Sequence, residues 1–307
     1  MATPTLQPPH IRLLHISDTH LFGDGSLHRG VIDTTERLNT VLHHAQKGEP
    51  CAAIIVSGDI SDDGTVESYR LAEEKIGALA RTWKAPVVWA CGNHDARRGM
   101  RQAFAFPGMP DDPILSIAEI PDLRIIAVDT SVPGKGYGYL GQQIQWAIEA
   151  QADNRANVFV LHHPPLPAPT LLHEALRLSD TDELADALEN IRPENGMPKP
   201  VAIIAGHYHR ATQGTVGGVP VFVAPGVANI TVLDRGYEWE SSVAGSGYEI
   251  VTLSPSPDSP LQASCSAVVY ETHVAEGATE VFHFTPEQTR AIGREAGRPG
   301  WNPDCHQ

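Results

Sequence analysis

Two short pairs in this 307-residue chain could each grip one cation, Asp18-Thr19-His20 and His207-Tyr208-His209. In an extended segment residues i and i+2 project from the same side of the backbone, so both members of a pair can face one centre. Three more donors lie between the pairs: Asp59, Asn93 and one of the neighbours His162 and His163. Together they make three oxygen and four imidazole donors, enough for two divalent ions if one carboxylate bridges. Asp59, which follows the apolar run Ala52 to Val56 and a glycine, is the expected bridge. Thiolates are absent from the set, which points to Mn²⁺, Fe or Zn²⁺ and away from a structural zinc site. Strand neighbours face opposite ways, so the residues alone leave His162 and His163 undecided.

Every donor sits just past an apolar run. Arg12 to Ile16 precedes Asp18, Pro86 to Ala90 precedes Asn93, Val158 to Leu161 precedes His162, and Val201 to Ala205 precedes His207. Such β-branched runs read as buried parallel strands, and ligands collect at the carboxyl ends of strands in α/β sheets. The connections carry helical stripes: Leu38, Val41, Leu42 and Ala45 behind an Asp33/Glu36 capping box, then Tyr69, Ala72, Ile76 and Leu79. Further helices are expected over about Leu140 to Ala150 and around Leu184, Ala187, Leu188 and Ile191. Residues 101–121 read as irregular, and Leu123 to Val128 as a strand ending in Asp129. Beyond Gly206 strands follow without helices (Val219 to Val223, Tyr248 to Leu253, Ala263 to Tyr270, Glu280 to Phe284), an antiparallel set expected to complete a second sheet. Residues 1–10 form a proline-rich arm, 11–285 one domain and 286–307 a tail with a short helix.

With 41% hydrophobic and 19% charged residues the chain can bury a sizeable core. A formal charge of -15 argues against a basic face that wraps nucleic acid. The four cysteines, Cys51, Cys91, Cys265 and Cys305, are far apart and suggest a reducing compartment. The first residues lack a signal-peptide pattern, and no apolar run is long enough to span a bilayer, so a cytoplasmic protein without stable membrane insertion is expected.

The blocks Asp18-Thr19-His20, Gly58-Asp59, Gly92-Asn93-His94-Asp95, His162-His163-Pro164 and Gly206-His207-Tyr208-His209, in that order over roughly residues 11–225, resemble the calcineurin-like metallophosphoesterase superfamily. The stretches Leu14 to Leu21 and Ile125 to Gly134 look like its class III cyclic nucleotide phosphodiesterases. The resemblance implies an α/β fold in which two packed mixed β-sheets are flanked by helices. It also implies one metal held by Asp18, His20, Asp59 and His209, and another by Asp59, Asn93, His162 and His207. Mn or Fe would be the foremost ions, with Zn, Co or Mg also admitted. Two cations about 3.5–4 Å apart would generate a bridging hydroxide for in-line attack. His94 would protonate the departing alkoxide, and Asp95 would orient His94 or anchor its loop. The implied reaction is hydrolysis of 3′,5′-cyclic AMP to 5′-AMP, and the implied assembly a homodimer. The alternatives are a phosphodiesterase for glycerophosphodiesters or other small diesters, then a phosphomonoesterase; a non-enzymatic scaffold conflicts with the complete donor set.

Other chemistry-bearing residues have plainer readings. His15 is expected as a satisfied core residue, and His10, His28, His43, His44, His173, His273, His283 and His306 as solvated. Asp129 should bond backbone in the turn after its strand, and Cys91 should only pack. Arg290 and Arg294 should form a solvated face. Tyr137 and Tyr139 could stack on a base or lie on plain surface. The pocket walls are expected from residues 101–121, Gly134 to Tyr139 and Val227 to Gly247.

Overall fold

In the computed structural model, which describes residues 10–151, 155–191, 198–256, 259–272 and 278–303, the chain lays down a run of alternating elements. These are β1 (Ile11–Ile16), α1 (Thr34–Gln46), β2 (Ala53–Val56), α2 (Val66–Trp83), β3 (Val87–Trp89), α3 (Arg97–Phe104), β4 (Ser116–Ile120), β5 (Leu123–Ala127), α4 (Gln143–Glu149), β6 (Ala156–Val160), α5 (Leu171–Leu176), α6 (Thr181–Asn190) and β7 (Ala202–Ala205). Strands then dominate: β8 (Thr212–Val216), β9 (Val219–Val223), β10 (Ile230–Val232), β11 (Glu240–Val243), β12 (Gly247–Ser256), β13 (Ser259–Glu271) and β14 (Glu280–Phe284), before α7 (Pro286–Ala296).

Alternation along the central strands builds the layers. Leu13, Ala53, Ile55, Val158, Val160, Ala202 and Ile204 point into a core shared by two sheets. Their neighbours Leu14, Ile54 and Val56 face a second core with α1 and α2, whereas Phe159, Ile203 and Ala205 face a third with α4 and α6. Both faces of each central strand are therefore covered, as parallel strands require. One sheet has the order β13-β12-β1-β2-β3, antiparallel from β13 to β1 and parallel from β1 to β3; the other, β4-β5-β6-β7-β9-β8, is parallel from β5 to β9 with an antiparallel strand at each edge. The result is the expected α/β sandwich of two mixed sheets flanked by helices.

The later strands depart from expectation. They do not complete one antiparallel sheet: β9 lies parallel beside β7, β12 and β13 extend the first sheet from β1, and β14 joins β10 and β11 in a third, three-stranded sheet. Local alternation specifies a strand but not its partner. Residues 101–121 are not irregular throughout, since α3 runs to Phe104 and β4 starts at Ser116. The proline-rich stretch after His163 hides the short α5, whose N-cap Thr170 accepts from His173 N–H. The helix expected in the tail, α7, packs closely on α5: Gly293 lies against Ala175 and Trp301, and Arg298 N–H donates to Ala175 O at 2.8 Å. Residues 1–9 of the N-terminal arm, and His273, Cys305 and His306, lie outside the described residues.

Candidate metal centre

The carboxyl ends of β1, β2 and β3 in one sheet, and of β6 and β7 in the other, meet at a single edge. The close approach depends on residues without a side chain. A Cβ on Gly92 would lie 2.1 Å from Asp59 Oδ1, and one on Gly206 would lie 1.8 Å from Ser17 Oγ. The sheets are tied there by His207 N–H, which donates to both Asp18 carboxylate oxygens at 3.0 and 3.2 Å.

The backbone carrying the donors is not extended. Asp18, His20, Asp59, His207 and His209 all have left-handed φ, at 55°, 43°, 48°, 71° and 47°. Such angles are uncommon for residues with side chains, and their concentration at one edge marks a site where geometry is held against local preference. The i, i+2 pairs thus converge through left-handed turns, not through the extended pleat that the spacing suggests.

The turns bring the expected donors together. Asp59 Oδ2 lies 3.3 Å from His162 Nε2 and 3.7 Å from His20 Nε2, His209 Nε2 lies 3.5 Å from Asp18 Oδ1, and His20 Nε2 faces His209 Nε2 at 3.1 Å. His20 Nδ1–H donates to Asp62 Oδ1 at 2.8 Å, His162 Nδ1–H to Ser57 O at 2.8 Å and His209 Nδ1–H to Asn229 O at 3.3 Å. Those partners only accept, so each Nδ1 carries a proton and each Nε2 is the ring nitrogen turned into the site. Asn93 Oδ1, His162 Nε2 and His207 Nε2 are buried without a hydrogen-bond partner. Buried acceptors facing one another are costly unless a cation lies among them, so the donor set fits the implied ions. His163 is different: its Nδ1 pairs with Thr130 Oγ1 at 2.7 Å and its Nε2 with Gly136 O at 3.1 Å. Of the two neighbours, His162 is the one whose second ring nitrogen faces the donor set, 3.3 Å from Asp59 Oδ2.

Charge is strongly coupled here. Burial opposes ionisation of Asp59, but His162 and His94 hold its carboxyl well below the usual range. Burial likewise opposes the charged form of His162, yet Asp59 raises it to about 9. Burial drives His20 down to about 4 although Asp62 pulls the other way. A cation at His162 Nε2 would compete with the proton that Asp59 stabilises there.

His94 stands at the mouth with its side chain 38% exposed, and its Nδ1 lies 3.2 Å from Asp62 Oδ1. Burial disfavours its charge, but Asp59 and Asp62 outweigh that and lift it to about 9. Asp95 does not orient it. The Asp95 carboxylate accepts from the N–H groups of Ile60, Ser61 and Gly92 and so fastens the loop after β3 to the one after β2. The partner of His94 is Asp62, which the sequence does not single out: it lies in an Asp-Ile-Ser-Asp-Asp turn where nothing in spacing separates it from Asp63.

Two histidines expected to be solvated are buried: His28, whose Nε2 accepts from Asn229 Nδ2 at 3.2 Å, and His173, both lining the cavity above the donors. Glu240 joins them, its carboxyl accepting from Thr170 Oγ1 at 2.5 Å and raised to about 7 by burial. This cavity, about 120 Å³, takes its walls from the His28–Arg29 loop, α5, β10, β11 and β14. Of the expected walls only Val227 to Gly247 reaches it; Pro113, Leu115 and Tyr139 border a separate cavity of about 600 Å³. Asp129 bonds its own turn through Ser131 N–H, as expected, and also has a partner, Arg97 at 2.8 Å. His15 is a satisfied core residue between Glu249 and Ser57, and Cys91 is buried with its thiol pushed well up by burial.

The family described as calcineurin-like phosphoesterase matches residues 11–211. A probable cyclic nucleotide phosphodiesterase of Rhodococcus erythropolis is 35% identical over 222 residues, 71% of each chain. A cAMP/cGMP dual specificity phosphodiesterase of Mycobacterium tuberculosis is 34% identical over 220 residues, 70% of this chain and 67% of that one. Among solved structures, a dimetal phosphatase from Danio rerio shares the fold, with a TM-score of 0.53 at 13% identity over 85% of this chain and 99% of that one.

Proposed function

Because the chain belongs to the calcineurin-like phosphoesterase family, we propose that it is a dinuclear-metal phosphodiesterase that hydrolyses 3′,5′-cyclic AMP to 5′-AMP. The observation that carries the metal chemistry is the gathering around Asp59 of the buried, unpartnered Asn93 Oδ1 and His207 Nε2 and of His162 Nε2, which lies 3.3 Å from Asp59 Oδ2. The cyclic nucleotide substrate is supported by the activities for which the relatives from Rhodococcus and Mycobacterium are named.

Asp18, His20, Asp59 and His209 would hold one ion, and Asp59, Asn93, His162 and His207 the other, with Asp59 shared. When bound, such a pair activates water and neutralises phosphoryl charge. Asp59 is prepared for sharing: Oδ1 accepts from His94 N–H at 2.9 Å, which fixes the carboxylate plane, while Oδ2 faces His20 and His162. His94 is held by Asp62 at Nδ1, so the rest of the ring is free to meet substrate at the mouth. As an imidazolium, which Asp59 and Asp62 favour at neutral pH, it can give a proton to the departing ribose 3′ oxygen.

The test is product analysis of 3′,5′-cyclic AMP incubated with the Mn²⁺-loaded chain, with a chelated control and a glycerophosphodiester as competitor. Chelator-sensitive release of 5′-AMP, little affected by the competitor, is expected. Hydrolysis of the glycerophosphodiester without cleavage of cyclic AMP would keep the metal chemistry and replace the substrate.

A further inference from the structure

The wall of the metal cavity supplied by β14 carries two aromatic rings that the chemistry above does not use. Phe282 and Phe284 alternate along the strand and so share a face; their ring centroids are 5.0 Å apart and both rings line the cavity that Asp59 and His94 also line. Over them lies the guanidinium of Arg29, 5.1 Å from the Phe282 centroid and 5.9 Å from that of Phe284. Arg29 is held there by a tight turn in which its φ is 52° and His28 and Ile32 exchange backbone hydrogen bonds. Leu172 and Leu176 of α5 line the same cavity.

We infer that Phe282, Phe284 and Arg29 form a subsite for the flat base of a nucleotide whose phosphate is held at the metal centre. The inference rests on the phosphodiesterase reading for the position of the phosphate, and adds what selects the rest of the substrate. Neither phenylalanine is fully buried, so the parts of their rings that Arg29 leaves uncovered, and the outer face of its own guanidinium, border a polar cavity where a ligand can cover them. Aromatic rings and a guanidinium plane stack on any base, because every base has a π-face. A glycerol or ethanolamine group has none and gains nothing from this wall. Phe282 and Phe284 lie beyond residues 11–211, the part of the chain that matches the family, whereas Arg29 lies within it. Its groups can stack but offer little to read base edges, so purines should outbind pyrimidines by stacking area, with little choice between adenine and guanine.

The experiment is a fluorescence titration of the Mn²⁺-loaded full chain with 2-aminopurine riboside 5′-monophosphate, whose emission is quenched by stacking, displaced in turn by ribose 5-phosphate. The chain should hold the nucleotide about tenfold or more tighter than the sugar phosphate, with quenching. F282A/F284A should erase that difference, leaving the affinity for ribose 5-phosphate and the Mn²⁺ stoichiometry unchanged, and F282Y should keep it. Equal binding of nucleotide and sugar phosphate by the unaltered chain overturns the proposal, as does an equal loss of both in the double variant. Should the double variant fail to take up Mn²⁺, R29A, at an exposed position, decides: it should weaken the nucleotide alone, and no change overturns the proposal. Base-dependent binding without cleavage of cyclic AMP keeps the subsite and removes the cyclic AMP reading. Cleavage without base-dependent binding does the reverse.

Discussion

Asp62 serves two histidines with different tasks. One oxygen, Oδ1, lies 2.8 Å from His20 Nδ1 and 3.2 Å from His94 Nδ1, so a single carboxylate fixes the tautomer of a proposed metal ligand and supports the charge of the proposed acid. The two roles separate by mutation. Asp62→Asn removes the charge from both and should weaken Mn²⁺ binding by about 10–100-fold while also slowing diesters with alkoxide leaving groups. His94→Ala should leave Mn²⁺ binding nearly unchanged and slow those substrates by about 10²–10⁴-fold, but activated aryl esters much less. Calorimetric Mn²⁺ titration and kcat on the two substrate types measure both. Unaltered Mn²⁺ affinity in Asp62→Asn would show that its bond to His20 does not position the ring. The donors themselves could be read from sequence because each follows an apolar strand. Asp62 could not, since its role arises from a turn folding back on β1, and neither could His28 and His173, whose burial is imposed by the third sheet and α5.

At the scale of elements, the site is made by five strand ends and the tight turns that leave them. Those turns work only where backbone can approach side chain. Gly92 stands against Asp59, and Gly92→Ala would drive a methyl group to 2.1 Å from Asp59 Oδ1 and 2.3 Å from Asp59 N. Neither atom can retreat without moving the proposed bridging carboxylate. The cost should exceed the roughly 1–3 kcal/mol of ordinary overpacking, and bound Mn²⁺ should fall. Chemical denaturation together with metal analysis tests this; a variant of normal stability that binds two Mn²⁺ would refute the role given to Gly92. The strands and main helices were legible because their periods of two and 3.6 residues survive in the sequence. The helix α5 was not, for its six residues follow Pro164, Pro165, Pro167 and Pro169 and are too short to show a period. The pairing of β12 with β1 was equally hidden, because it is settled by contacts between residues more than two hundred positions apart, such as Leu13 with Val251.

For the whole molecule, the distribution of donors between sheets has a consequence for stability. Asp18, His20, Asp59 and Asn93 come from the sheet of β1, β2 and β3, and His162, His207 and His209 from the sheet of β6 and β7. Each proposed ion therefore takes ligands from both halves of the sandwich and clamps them at the edge where only short turns otherwise meet. It also sets positive charge against a chain of formal charge -15. Ions that bind the folded chain and not the unfolded one stabilise it by mass action, about 4 kcal/mol at a thousandfold excess over Kd. Removing Mn²⁺ with a chelator should then lower the melting temperature by several degrees, and adding it back should restore it. Asp59→Asn should melt at the same temperature with and without chelator, since the shared carboxylate is lost from both ions at once. A melting temperature of the unaltered chain that ignores the chelator would mean that the sandwich closes without its metals. The two sheets would then present a finished cradle that the ions merely fill.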